Sequence, residues 1–98
     1  MKIINFKTIE PFFTQERDGL KPFTVRKVDS QDKRFRALAQ WEPCYNWAIR
    51  ITNPATGDSF IRKLKNVHLL WGWKILILGE LISNEGGENE VKDLSGLI

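Results

Sequence analysis

Gly19-Leu20-Lys21-Pro22-Phe23-Thr24-Val25-Arg26 is the stretch that sets the architecture of this chain. Glycine enters the left-handed conformation without a steric penalty and so ends a helix. The amphipathic run before it, Ile9 to Asp18, reads as a short helix, and the run after it reads as a strand. Alternation along that strand puts Thr24 and Arg26 on one face and Phe23 and Val25 on the other. The expectation is a buried apolar face through Phe23 and Val25 and a polar face open to a ligand. Arg26 offers a planar fork of donors, Lys21 a mobile point charge, and Thr24 a small hydroxyl that donates and accepts. The plainer role for Arg26 is a salt bridge to a neighbour such as Asp29 or Glu42.

The stretch resembles the signature G-x-K-x-x-E-x-R of the ASCH domains, a branch of the PUA-like β-barrel superfamily. Gly19, Lys21 and Arg26 stand in the matching places, and Thr24 replaces the usual Glu. A strand over Lys2 to Lys7 leads into the helix, as in that family, and the likeness spans about residues 1–82. It implies a cleft lined by the motif that binds RNA, single-stranded nucleic acid or a nucleotide. Some ASCH proteins are amidohydrolases on acetylated cytidine and use the motif Lys, a Thr at this position, and a Glu ahead of the last strand. Lys21 and Thr24 match the first two. No carboxylate lies between Asn66 and Leu78, and Glu80 falls inside the last strand. The chain's size is also similar to that of short phage-encoded members.

Working outward, Thr8 is placed to cap the first helix, with Glu10 and Pro11 in its first turn. Ile9, Phe12 and Phe13 give that helix its apolar face and Glu16 its polar one. Asp29 to Asp32 reads as the start of a second helix, with Phe35, Leu38 and Ala39 at the spacing of one buried face. This helix departs from the ASCH pattern, in which a Gly-Asp turn follows the motif strand. Tyr45 to Thr52 alternates as a strand, and Asn53-Pro54-Ala55-Thr56-Gly57-Asp58 reads as a hairpin turn. Strands are expected over Ser59 to Lys65, over Asn66 to Leu70, and over Trp73 to Ile82. The last carries apolar residues on both faces, the mark of a strand covered on each side. The expected fold is α+β: a small, PUA-like, partly closed β-barrel of about six strands with two short helices. Residues 83–98 are rich in Gly, Glu and Asn and read as an acidic, disordered tail.

Ninety-eight residues make one domain. The net charge of +3 is uneven: residues 1–82 hold fourteen Lys and Arg against eight Asp and Glu, while residues 83–98 hold one against four. A basic body suits a polyanionic ligand. One cysteine, Cys44, excludes an internal disulfide and fits a reducing cytoplasm. One cysteine and one histidine, His68, do not supply a zinc ligand set or place a Cys-His pair, so no metal and no cofactor are expected. No run approaches the roughly 20 apolar residues of a membrane helix, so a soluble protein with no membrane partner is expected.

The candidate site residues are therefore Lys21, Thr24 and Arg26, with Gly19 as the structural element of the motif. Arg62 belongs to a basic strand surface that can track phosphates. Among the four tryptophans, Trp41 and Trp71 are the ones expected to be exposed for base stacking, and Trp47 and Trp73 to pack in the core. Three functions compete. The first is nucleic-acid or nucleotide binding. The second is amide hydrolysis on a modified nucleoside, with Lys21 as base and Thr24 as nucleophile. The third is a non-enzymatic protein-binding accessory role. A ligand site requires Lys21 and Arg26 in one concavity, and an enzyme requires in addition a carboxylate within reach of Lys21 or Thr24.

Overall fold

Two amphipathic helices and five strands fold around one apolar cluster in the computed structural model, which describes residues 1–86. In chain order they are β1 (Lys2–Lys7), α1 (Phe12–Arg17), β2 (Phe23–Lys27), α2 (Lys33–Leu38), β3 (Trp47–Thr52), β4 (Ser59–Leu70) and β5 (Trp73–Glu85). The strands form a single mixed sheet in the order β1-β3-β4-β5-β2. β1 runs parallel to β3, and the other three pairings are antiparallel. The α+β class stands. The sheet, however, is open, and it has five strands rather than about six because Ser59 to Leu70 is one continuous strand. Register shifts between Ile61 and Asn66 absorb the break in alternation that suggests two separate strands. Such bulges add local twist without ending a strand.

Period-two residues on four strands meet the helices in the core. Ile4 and Phe6, Ile49 and Ile51, Phe60 and Leu64, and Leu76 and Leu78 join Phe13 of α1 with Phe35 and Leu38 of α2. Phe13 tilts onto Phe60 with ring centroids 5.3 Å apart, and Phe6 meets Phe35 edge-on at 6.0 Å. Asp32 caps α2, its carboxylate accepting the backbone N–H of Arg34 at 2.9 Å. α1 starts without the expected Thr8 cap. Glu10 instead accepts from the backbone N–H and the hydroxyl of Thr14.

β5 is central, yet it is covered on one face only where it meets β2. Thr24 pairs with Leu76 and both are buried, whereas Val25, which pairs with Ile75, is exposed. The partition of β2 into two faces is as expected, and the buried side is the opposite one. Thr24 and Arg26 face α1, and nothing among the described residues covers Val25. β5 also runs on through Glu85, with Ser59 donating to the Glu85 carboxylate at 3.1 Å, so a domain boundary at residue 82 falls inside a strand. The rest of the expected tail lies outside the described residues. No helix among the described residues is long and apolar enough to cross a membrane.

Candidate functional site

The sheet fails to close at one seam, between β1 and β2, its two edge strands. A side chain bridges this seam in place of a backbone ladder. Arg26 of β2 donates through Nη1 to the carbonyl of Lys7, at 2.7 Å, and through Nη2 to the Thr8 hydroxyl. Its Nε donates to Thr24 Oγ1 at 3.1 Å, and its guanidinium carbon stands 4.8 Å from the Phe6 ring centroid. Neither Asp29 nor Glu42 is its partner. Burial pushes the Arg26 pKa below its ordinary value, the Glu16 carboxylate pulls it back, and Arg34 adds to the lowering. Arginine stays protonated throughout.

A pocket of about 440 Å³ opens at this seam, lined by Thr8, Phe12, Glu16, Lys21, Thr24 and Arg26, among others. The local sequence builds it directly. α1 ends at Arg17, and Gly19 turns the chain with φ of +83°, a conformation that disfavours any side chain. A Cβ there would also sit 3.4 Å from Arg62. The Lys21 backbone N–H then donates to the carbonyl of Gln15, folding the loop back along the helix. This turn brings Lys21 Nζ to 2.6 Å from Glu16 Oε2 and 3.1 Å from the carbonyl of Phe23. The ammonium also lies 4.8 Å and 5.4 Å from the ring centroids of Phe23 and Phe12.

Glu16 is a site residue that the sequence does not single out. Its charge suggests the polar face of α1, yet it is 1% exposed, and its second oxygen, Oε1, is buried with no hydrogen-bond partner. The signal is present in the spacing: Glu16 follows Phe12 by four positions and Phe13 by three, so all three share a helix face. Leaving a buried carboxylate oxygen unsatisfied costs about 1–3 kcal/mol or more. A carboxylate within hydrogen-bond reach of Lys21 is thus present, and it comes from the first helix.

The remaining candidates fall elsewhere. Arg62 is spent on backbone carbonyls, donating to Glu16, Arg17 and Gly79 at 3.1, 2.7 and 2.7 Å. It fastens the C-terminal end of α1 to the sheet and so positions Glu16. Trp41, expected to be exposed, packs against the core cluster. Trp71 is 91% exposed at the tip of the β4–β5 hairpin, and Trp73, expected in the core, is 43% exposed beside it. Trp47 is partly buried against the core and stacks on Tyr45. Cys44 is exposed, and among the described residues no three His, Cys, Asp or Glu side chains gather to hold a metal.

The pocket therefore gathers an ammonium, a hydroxyl and a guanidinium edge in one small concavity, with the Glu16 carboxylate buried directly behind the ammonium. No family model matches the chain, and no curated protein matches it.

Proposed function

We propose that this pocket binds a nucleotide, free or within an RNA or other single strand, by the edge of its base. The carrying observation is the unpartnered Glu16 Oε1 beside Lys21 in a pocket that Thr24 and Arg26 also line. A pure anion would satisfy the cations and leave Glu16 opposed. A base edge carries donors and acceptors together, so as the Lys21 ammonium turns onto a base carbonyl, an exocyclic amino or ring N–H takes its place at the Glu16 carboxylate. A volume of about 440 Å³ lies within the range of small-molecule sites. Ile9 and Phe12 at the wall supply apolar cover for the ring. The likeness of Gly19, Lys21 and Arg26 to the ASCH motif supports the same ligand class.

An amide-resolved NMR titration of the labelled protein with short single-stranded RNA and with cytidine nucleosides tests the reading. Shifts should centre on Glu16, Lys21 and Thr24. Unmoved amides there at millimolar ligand would defeat it.

One observation favours a second reading, amide hydrolysis on a modified nucleoside: the 2.6 Å contact between Glu16 and Lys21. Thr24 Oγ1 would attack the amide carbonyl as its proton passes to Lys21 and a Lys21 proton passes on to Glu16. Collapse of the adduct releases the amine with a proton returned from Lys21, and water then cleaves the acyl ester to regenerate Thr24. The guanidinium donor held on Thr24 Oγ1 favours the deprotonated oxygen. Release of acetate from acetylated cytidine by the native chain, and none by Thr24→Ala, is the expected result; no release by the native chain rejects it.

A further inference from the structure

The hairpin joining β4 to β5 ends in Leu69-Leu70-Trp71-Gly72-Trp73, and its two turn residues, Trp71 and Gly72, have φ of 49° and 82°. Two positive φ angles in a two-residue turn are the type I′ pattern, which Asn-Gly fills at least cost. Trp71 carries a Cβ into that conformation, the only non-glycine among the described residues with positive φ. It gains little burial in exchange, since the residue is 91% exposed. Neither turn chemistry nor core packing accounts for a tryptophan here. Its presence points to a contact made outside the fold.

The tip is tied to the pocket. The backbone N–H of Val28, just past β2, donates to the carbonyl of Gly72 at 2.9 Å, and Lys27 pairs across the sheet with Trp73. Four residues along β2 separate Thr24 from Val28, about 13 Å at the rise of a strand. A second concavity of about 850 Å³ occupies this interval, lined by Lys7, Arg26, Lys27 and Arg34 and sharing Lys7 and Arg26 with the first. Lys7 and Lys27 are exposed and form no ion pair among the described residues. Of the two acids on its wall, Asp32 is bound to Arg34, and Asp29 accepts the backbone N–H of Gln31. The concavity holds four cationic side chains against two acids. It ends at Lys27 and Asp29, on either side of the Val28 that bonds to the tip, and the sequence between Asn66 and Leu78 has no carboxylate.

Resting on the pocket reading given above, we infer that the ligand is a single strand of nucleic acid rather than a lone nucleotide. One base enters the pocket, the backbone crosses Lys7 and Lys27, and a base a few nucleotides further along the strand stacks on Trp71. An aromatic platform at the end of a cationic track is the arrangement that holds single strands with little regard to sequence. The lysines beside the tip, Lys27 and Lys74, and the absence of any carboxylate between Asn66 and Leu78 favour a polyanion there.

The test compares cytidine monophosphate with a single-stranded RNA of mixed sequence, about eight nucleotides long, within the span such platforms cover. The full chain is titrated by NMR and by tryptophan fluorescence, beside Trp71→Asn and Lys7→Gln/Lys27→Gln. Asn suits the turn, so the first variant keeps its fold. The RNA should bind at least about 10-fold more tightly than the mononucleotide. Trp71→Asn should lower RNA affinity by about 10-fold, as removal of one stacked base does, and leave mononucleotide affinity unchanged. The double lysine variant should flatten the salt dependence of RNA binding by roughly 0.7 for each phosphate it no longer neutralises. RNA no tighter than the mononucleotide, or Trp71→Asn equal to the native chain, overturns the inference while the pocket reading stands. So does a native dimer that Trp71→Asn dissolves with no effect on RNA. A mononucleotide that leaves Lys21 and Thr24 unmoved overturns the pocket reading and this inference with it.

Discussion

Replacing Lys21 by Met should destabilise the fold far more than removing a surface lysine does. The Lys21 side chain is 21% exposed, and its partner Glu16 is 1% exposed. The substitution removes the 2.6 Å donor to Glu16 Oε2, and Oε1 already lacks a partner. Both oxygens of a buried carboxylate are then unpaired, a situation that costs about 3–5 kcal/mol when water is excluded. The pocket beside Glu16 admits some solvent, which lowers the figure to about 2–3 kcal/mol. With a urea slope near 1 kcal/mol/M for a chain of this size, the unfolding midpoint should fall by about 2–3 M. Glu16→Gln alone should cost about 1 kcal/mol, since an amide tolerates the site better than an unpaired charge. Glu16→Gln/Lys21→Met should therefore be more stable than Lys21→Met, with a coupling energy of at least about 1.5 kcal/mol in the double-mutant cycle. A Lys21→Met variant within about 1 kcal/mol of native, or a double variant no better than the single, would refute the claim that these two charges hold each other in a desolvated site.

Arg62→Met removes three bonds to the backbone at the end of α1 and at Gly79, and should cost about 2–4 kcal/mol in denaturant unfolding. Because one acceptor is the carbonyl of Glu16, the variant should also weaken ligand binding at the pocket, without Arg62 touching the ligand. Trp71→Asn should raise stability by about 0.5–1 kcal/mol, because Asn tolerates the left-handed turn and Trp71 contributes almost no buried area; a drop in stability would show that the ring packs on something. Hydrogen bonds from the Arg34 side chain and backbone hold the Asp32 carboxyl below its usual range. Its folded value is depressed, so the stabilisation of α2 is present above the unfolded-state value near 3.9 and is lost as pH falls through the folded value. Amide exchange in α2 should accordingly be unchanged at pH 5 and rise only in stronger acid. A rise already at about pH 6, well above any carboxylate range, would mean another group controls that helix.

The local elements are legible in the sequence because local chemistry makes them. Gly19 ends α1 where a left-handed residue is needed. The Asn53 to Asp58 turn closes on backbone bonds from Thr56, Gly57 and Asn53, and β3 alternates as its sequence does. Lys21, Thr24 and Arg26 do line one pocket, because a helix, a glycine turn and a strand in succession leave few ways to arrange them. The departures have a common cause. Charge sends Glu16 to solvent, although its spacing from Phe12 and Phe13 puts it on the inward face. Charge likewise sends Arg62 to a ligand surface, although backbone carbonyls some seventeen and forty-six residues away claim it. Trp41 and Trp73 exchange the expected places because aromatic alternation does not say which side of a sheet a helix will cover.

The chain by itself determined the order of helix and strand, the turn at Gly19 and the residues that would meet beside it, since dihedral preference and side-chain spacing act over a few positions. Only the tertiary structure decided which face of β2 is buried, that β1 and β2 stay unpaired with Arg26 spanning the gap, and that Glu16 stands buried beside Lys21. Those outcomes depend on where α1 settles against a twisted sheet, and contacts between residues distant in the chain set that balance.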